Sequence, residues 1–126
     1  MTHLFIFGLG YSAKRIRAAA IATGWQVTAT GHDGELAFDD DDAVRAALGS
    51  ASHALSSVPP GDDGDPVLTR YGDALDHRWL GYLSSTGVYG DTGGAWVDES
   101  APTGQGRRAA RTRADEAWLA RGAREI

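Results

Sequence analysis

The chain has 126 residues, 42% of them hydrophobic, which is enough for one domain with a buried core and too few for two. Its formal charge is −5 and it has no cysteine, which excludes a disulfide framework, thiolate metal ligands and thiol catalysis, and argues against a nucleic-acid partner. No apolar run approaches the ~20 residues of a membrane span, and the start MTHLFIFGLG lacks the basic opening and long apolar stretch of a signal peptide. A cytoplasmic, unprocessed protein with no membrane contact is expected.

His3 to Phe7 is a short apolar run without alternation, the pattern of a central parallel strand buried on both faces. Ser12 to Thr23 turns helical, with Ile16, Ala19, Ala20 and Ile21 on one face and Gly24 where a C-terminal cap belongs. Trp25 to Thr30 supplies a second strand and completes a βαβ unit, whose crossover is almost always right-handed. The stretch from Gly31 to Glu35 is too short for a second crossover helix, so Leu36 to Phe38 is either an irregular third strand or a returning loop.

Asp39 to Asp42 precede a helix over Ala43 to Leu48, ended by Gly49, and the acids suit its N-terminal dipole better than a metal site. His53 to Val58 reads as a strand closed by Pro59-Pro60. Gly61 to Asp65 is a loop, and Asp65-Pro66 is a cap followed by proline at the first helical position, so Val67 to Leu75 should be helix. Trp79 to Leu83 is the next strand, Gly87 to Gly106 a loop, and Arg107 to Arg121 a last helix. Arg124-Glu125-Ile126 begins what should be another strand. The pattern predicts an α/β protein: a Rossmann-like three-layer α/β/α domain over 1–126 with a mostly parallel sheet, truncated before the later strands.

Gly8-Leu9-Gly10-Tyr11-Ser12-Ala13 has the G-x-G-x-x-A form between a buried strand and a helix, the context that gives this motif its dinucleotide-binding meaning. Gly8 permits the turn, Gly10 leaves room for a pyrophosphate, and Ala13 lets the helix pack close while its N-terminus, with Tyr11 and Ser12, faces the phosphates. A glycine turn that merely links strand to helix would read the same. The expected cofactor is NAD or NADP: at the end of the second strand Thr30, His32 and Asp33 are candidates for the adenosine ribose, His32 suiting a 2′-phosphate and Asp33 a 2′-hydroxyl, with a slight lean to NAD, although a lone His and Asp in a turn read equally as solvated residues. Val58 and Pro59, at the carboxyl end of another strand, are further candidates for cofactor contact. No residue suggests a metal.

Tyr82-Leu83-Ser84-Ser85-Thr86-Gly87-Val88-Tyr89-Gly90, followed by Val97-Asp98-Glu99-Ser100-Ala101-Pro102, resembles the extended short-chain dehydrogenases/reductases of the NAD-dependent epimerase/dehydratase group. The resemblance implies that Ser85 orients the oxygen of a small-molecule substrate such as a nucleotide sugar, with Tyr89 in the wall of the site. It breaks at the family's Tyr-x-x-x-Lys: the window from Arg107 to Ala114 holds Arg107, Arg108, Arg111, Thr112 and Arg113 instead. Arginine stays protonated and cannot replace that pair, so the chain resembles atypical members that share this loss. The arginines form either a solvated helix face or a grip for a substrate phosphate or carboxylate.

The resemblance also implies a longer chain whose later segments build the substrate pocket. On that view Trp79 to Leu83 is a sheet edge that invites pairing into a homo-oligomer. Two functions stay open: an NAD(P)-dependent oxidoreductase or epimerase with degenerate catalysis, or a non-catalytic dinucleotide-binding sensor or scaffold.

Overall fold

The computed structural model describes residues 2–76, 79–84, 96 and 109–125. The elements in chain order are β1 (His3–Phe7), α1 (Tyr11–Ala22), β2 (Gln26–Ala29), α2 (Asp41–Ser50), β3 (His53–Ser56), α3 (Pro66–Tyr71) with a 3-10 turn at Gly72–Ala74, β4 (Trp79–Tyr82), α4 (Ala109–Ala120) and β5 (Arg124–Glu125). All strand pairs are parallel, in the order β2-β1-β3-β4-β5. This is the expected Rossmann-like α/β/α arrangement.

Strand β1 lies between β2 and β3, and its alternating side chains serve both layers. Phe5 and Phe7 join Val44 and Leu48 of α2, Val67 and Tyr71 of α3, and Ala114 and Trp118 of α4 in the larger core. Leu4 and Ile6 meet Ala13, Ile16 and Ala20 of α1 on the opposite face, whereas Ile21, expected on the same face, is exposed. Among the described residues α1 alone covers that face, and beside it an apolar groove of about 540 Å3 runs past Leu55 and Trp79.

No helix forms between Thr30 and Leu36, as the five residues there implied, and the parallel crossover from β2 to β3 runs through α2. Gly31 to Asp40 form a loop that touches the sheet edge through one parallel bridge, Thr30 to Leu36. Several boundaries differ from expectation: α1 spans Tyr11–Ala22, β2 only Gln26–Ala29, α2 starts at Asp41 and β4 stops at Tyr82. α2 continues through Gly49 to Ser50. The third predicted strand stops at Ser56, because Ser57 turns toward the glycine loop. The α3 helix tightens into a 3-10 turn after Tyr71. A correction concerns β4, which is not the sheet edge: β5 pairs with Gly81 and Tyr82 on its outer side. No helix among the described residues is long and apolar enough to cross a membrane.

Candidate functional site

The two glycines of the turn do different work. Gly8 has φ +83°, and a Cβ there would come within 3.0 Å of both Ser57 Oγ and Val58 Cγ2, so any side chain is strained and crowded. Its N–H donates to Thr30 Oγ1 at 3.1 Å, while Ser57 Oγ donates to its carbonyl at 2.8 Å and is also 3.2 Å from the carbonyl of Phe7. The turn is thus clamped from the strands on both sides of β1. Gly10, by contrast, has φ −83°, and a Cβ built on it meets no protein atom within 4 Å. Its missing side chain leaves open space.

That space is a cleft of about 460 Å3 lined by Gly8, Gly10, Tyr11, Ser12, Ala13, Ser57, Val58, Pro59 and Leu83. It brings together seven of the predicted cofactor residues at the carboxyl ends of β1 and β3. Helix α1 opens onto it from Gly10 with no side-chain cap and no acid in its first turn. The Asp40 and Asp65 side chains, by comparison, cap α2 and α3. An uncapped N-terminus retains backbone donors and the positive end of the helix dipole for an anion.

The three remaining predicted cofactor residues sit outside the cleft lining. Thr30 is buried and reaches the site through Gly8. His32 and Asp33 are exposed, and the Asp33 carboxylate pairs with Lys14 Nζ of α1 at 2.6 Å. The Lys14 hydrogen bond and charge hold this carboxyl below its ordinary range.

At the carboxyl end of β4, Ser84 donates its hydroxyl to the buried carboxylate of Asp115 on α4. Arg111 Nη1 donates to the Tyr82 hydroxyl at 3.0 Å, and Tyr82 stacks on Trp118 with ring centroids 5.4 Å apart. This phenol–guanidinium pair is no proton relay for the cleft. Tyr82 is fully buried, and burial pushes its pKa up despite the lowering effect of Arg111. Arg111 is thereby committed, while Arg113 is exposed. Ser85, Tyr89, Arg107 and Arg108 lie outside the described residues.

Sequence reasoning missed Lys14, Ser57 and Asp115. Asp115 had a signal, an acid between Ala114 and Trp118 on the apolar face of a helix. Ser57 and Lys14 had none, since their partners are distant in sequence.

No family model matches the chain, and no curated protein matches it in sequence. Solved structures match it over nearly its whole length. A functionally unknown conserved protein from Silicibacter pomeroyi DSS is 34% identical, with a TM-score of 0.76 over 96% of this chain and 50% of that one. The dTDP-glucose 4,6-dehydratase of Bacillus anthracis str. Ames, in complex with NAD, gives a TM-score of 0.75 at 11% identity over the same shares. What they share with this chain is the fold, a Rossmann-like α/β arrangement. The UDP-glucose 4-epimerase of Thermus thermophilus, in complex with NAD, has it too, with a TM-score of 0.65 at 14% identity over 98% of this chain and 53% of that one. The structural neighbours are thus proteins of the short-chain dehydrogenase and epimerase/dehydratase group, several of them crystallised with NAD. This chain spans about half the length of these structures.

Proposed function

We propose that the chain binds a nicotinamide dinucleotide in the glycine cleft and forms the cofactor-binding part of an oxidoreductase or epimerase related to the nucleotide-sugar enzymes. The observation that carries this is Gly10, which leaves open space in the cleft in front of the uncapped N-terminus of α1, the room a pyrophosphate needs. The uncapped N-terminus of α1 would take the pyrophosphate, with Gly8, Tyr11, Ser12 and Ala13 beside it and Val58 and Pro59 as the opposite wall. Thr30, His32 and Asp33 serve the adenosine end, and NAD is the preferred form. When bound, the nicotinamide would supply hydride chemistry. Ser85 is the residue proposed to hold the reacting oxygen of a small-molecule substrate, a nucleotide sugar by class, and the soluble cell interior is the proposed setting.

A second reading, a dinucleotide-binding sensor or scaffold without turnover, is favoured by the arginines that stand where a catalytic tyrosine and lysine would be. Titration with NADH, followed by fluorescence enhancement, tests the shared premise. Saturable binding is expected, and Gly10→Val should abolish it while lowering the thermal midpoint only slightly, as a poorer N-cap. No binding at millimolar NADH or NADPH, or full affinity in Gly10→Val, would overturn the proposal.

A further inference from the structure

We infer that Ser84 and Asp115 carry the proton of the reaction at this cleft, a task the arginines of the last helix cannot perform because they stay protonated. The inference rests on the cofactor-binding reading above and deepens it by naming the groups that move the proton.

Ser84 stands just past β4, at the carboxyl edge of the sheet. Leu83 before it lines the cleft, and the Leu83 N–H donates to the Ser56 carbonyl at 2.9 Å. Successive strand residues point to opposite faces: Leu83 packs on the core beneath α1, whereas Tyr82 and Ser84 turn toward α4. There the half-buried Ser84 donates its hydroxyl to Asp115 Oδ1.

Asp115 is 1% exposed. Among the described residues its hydrogen-bond partner is Ser84, and no cation pairs with it. Arg111, one turn earlier on α4, is bonded to the Tyr82 hydroxyl. Burying a carboxylate with so little compensation opposes folding, and an apolar residue would fill the place at lower cost. Thr112, on the same helix face three residues before Asp115, adds a buried hydroxyl that has no partner among the described residues. Polar capacity that the fold leaves unused, at the sheet edge where ligands of α/β proteins sit, points to a ligand group.

The direction of the Ser84 hydroxyl decides what that group is. Its hydrogen is given to Asp115, so toward the cleft its oxygen has only lone pairs, which accept the O–H of a substrate alcohol. As the C–H hydride of that alcohol passes to the oxidised nicotinamide, the O–H proton moves to Ser84 Oγ and the proton Ser84 held moves to Asp115. The alcohol becomes a carbonyl, the cofactor is reduced, the serine is restored and Asp115 ends as a neutral acid. Reduction of a carbonyl runs the same transfers in reverse. Ser84 thus accepts from the reacting oxygen to which Ser85, in the reading above, donates.

The test adds UDP-glucose to the chain loaded with NAD and follows the fluorescence of reduced cofactor in a single turnover. Asp115→Asn and Ser84→Ala should each slow its formation by about 100-fold or more, while the half-saturating UDP-glucose concentration and the NADH dissociation constant stay close to those of the parent. Ser84→Thr should retain the turnover that Ser84→Ala loses. Independently of turnover, the infrared carboxylate band assigned to Asp115 by its absence in Asp115→Asn should shift in Ser84→Ala. A parent that binds NADH but forms no reduced cofactor, an Asp115→Asn variant as fast as the parent, or a band unmoved by Ser84→Ala overturns this inference and leaves the cofactor reading standing. Failure of the parent to bind NADH or NADPH overturns both.

Discussion

The division of labour between Gly8 and Gly10 separates a residue the fold needs from one a ligand would need. Gly8→Ala forces a side chain into a left-handed conformation against Ser57 and Val58, so it should lower stability by about 1–3 kcal/mol, read as a drop in the thermal midpoint. Gly10→Val should lower that midpoint only slightly, as a poorer N-cap, and remove dinucleotide binding. Ser57→Ala removes the donor that holds the Gly8 carbonyl. A cost of about 1 kcal/mol is expected, together with weaker NADH binding, because the turn loses one of its two clamps. At this scale the glycines were readable because a tight turn is a constraint of adjacent residues. Ser57 was not, since its acceptors lie 49 and 50 residues earlier in the chain.

Among the elements, α3 shows how a short helix is fixed. Asp65 Oδ1 accepts the N–H groups of Val67 and Leu68 at 2.9 and 3.1 Å, and Oδ2 accepts Trp118 Nε1 of α4 at 3.0 Å. Asp65→Ala would open the helix start and leave a buried indole N–H unpaired, so a loss of about 2–4 kcal/mol is expected in denaturant unfolding. The Asp-Pro signature announced the cap, but nothing in the local sequence announced the bond to Trp118, 53 residues away. Strand and helix identities followed from period and turn residues. The ends of β3 and α3 did not, because tertiary bonds set them: Ser57 leaves the sheet for the glycine turn, and the Tyr71 hydroxyl donates to the Phe38 carbonyl. The lack of a helix between Thr30 and Leu36 was evident from chain length alone, since the five residues between them are too few for one.

For the whole molecule, charge pairs that join separate parts of the chain give stability a pH dependence. The Lys14 hydrogen bond lowers the Asp33 pKa below its ordinary value of 3.8, and hydrogen bonds from Arg70 and Tyr71 lower that of Asp41. A carboxyl depressed in the folded state stabilises it fully above the unfolded value and loses that contribution as pH falls through the folded one. Thermal midpoints should therefore stay level down to about pH 5 and fall as the pH drops through 3.8 and below. Asp41→Asn should flatten the decline, and about 1 M salt should weaken it because both groups are exposed to solvent.

The sheet order has a further consequence for the cleft. The strands that clamp the glycine turn are the two neighbours of β1, so the loop is anchored in the centre of the sheet and is already ordered before a ligand arrives. Binding there carries little conformational entropy cost. The Gly8 amide, bonded to a buried threonine hydroxyl, should exchange with deuterium only when the central strands open. NADH should slow exchange at Tyr11 and Ser12 and leave Gly8 at its already slow rate.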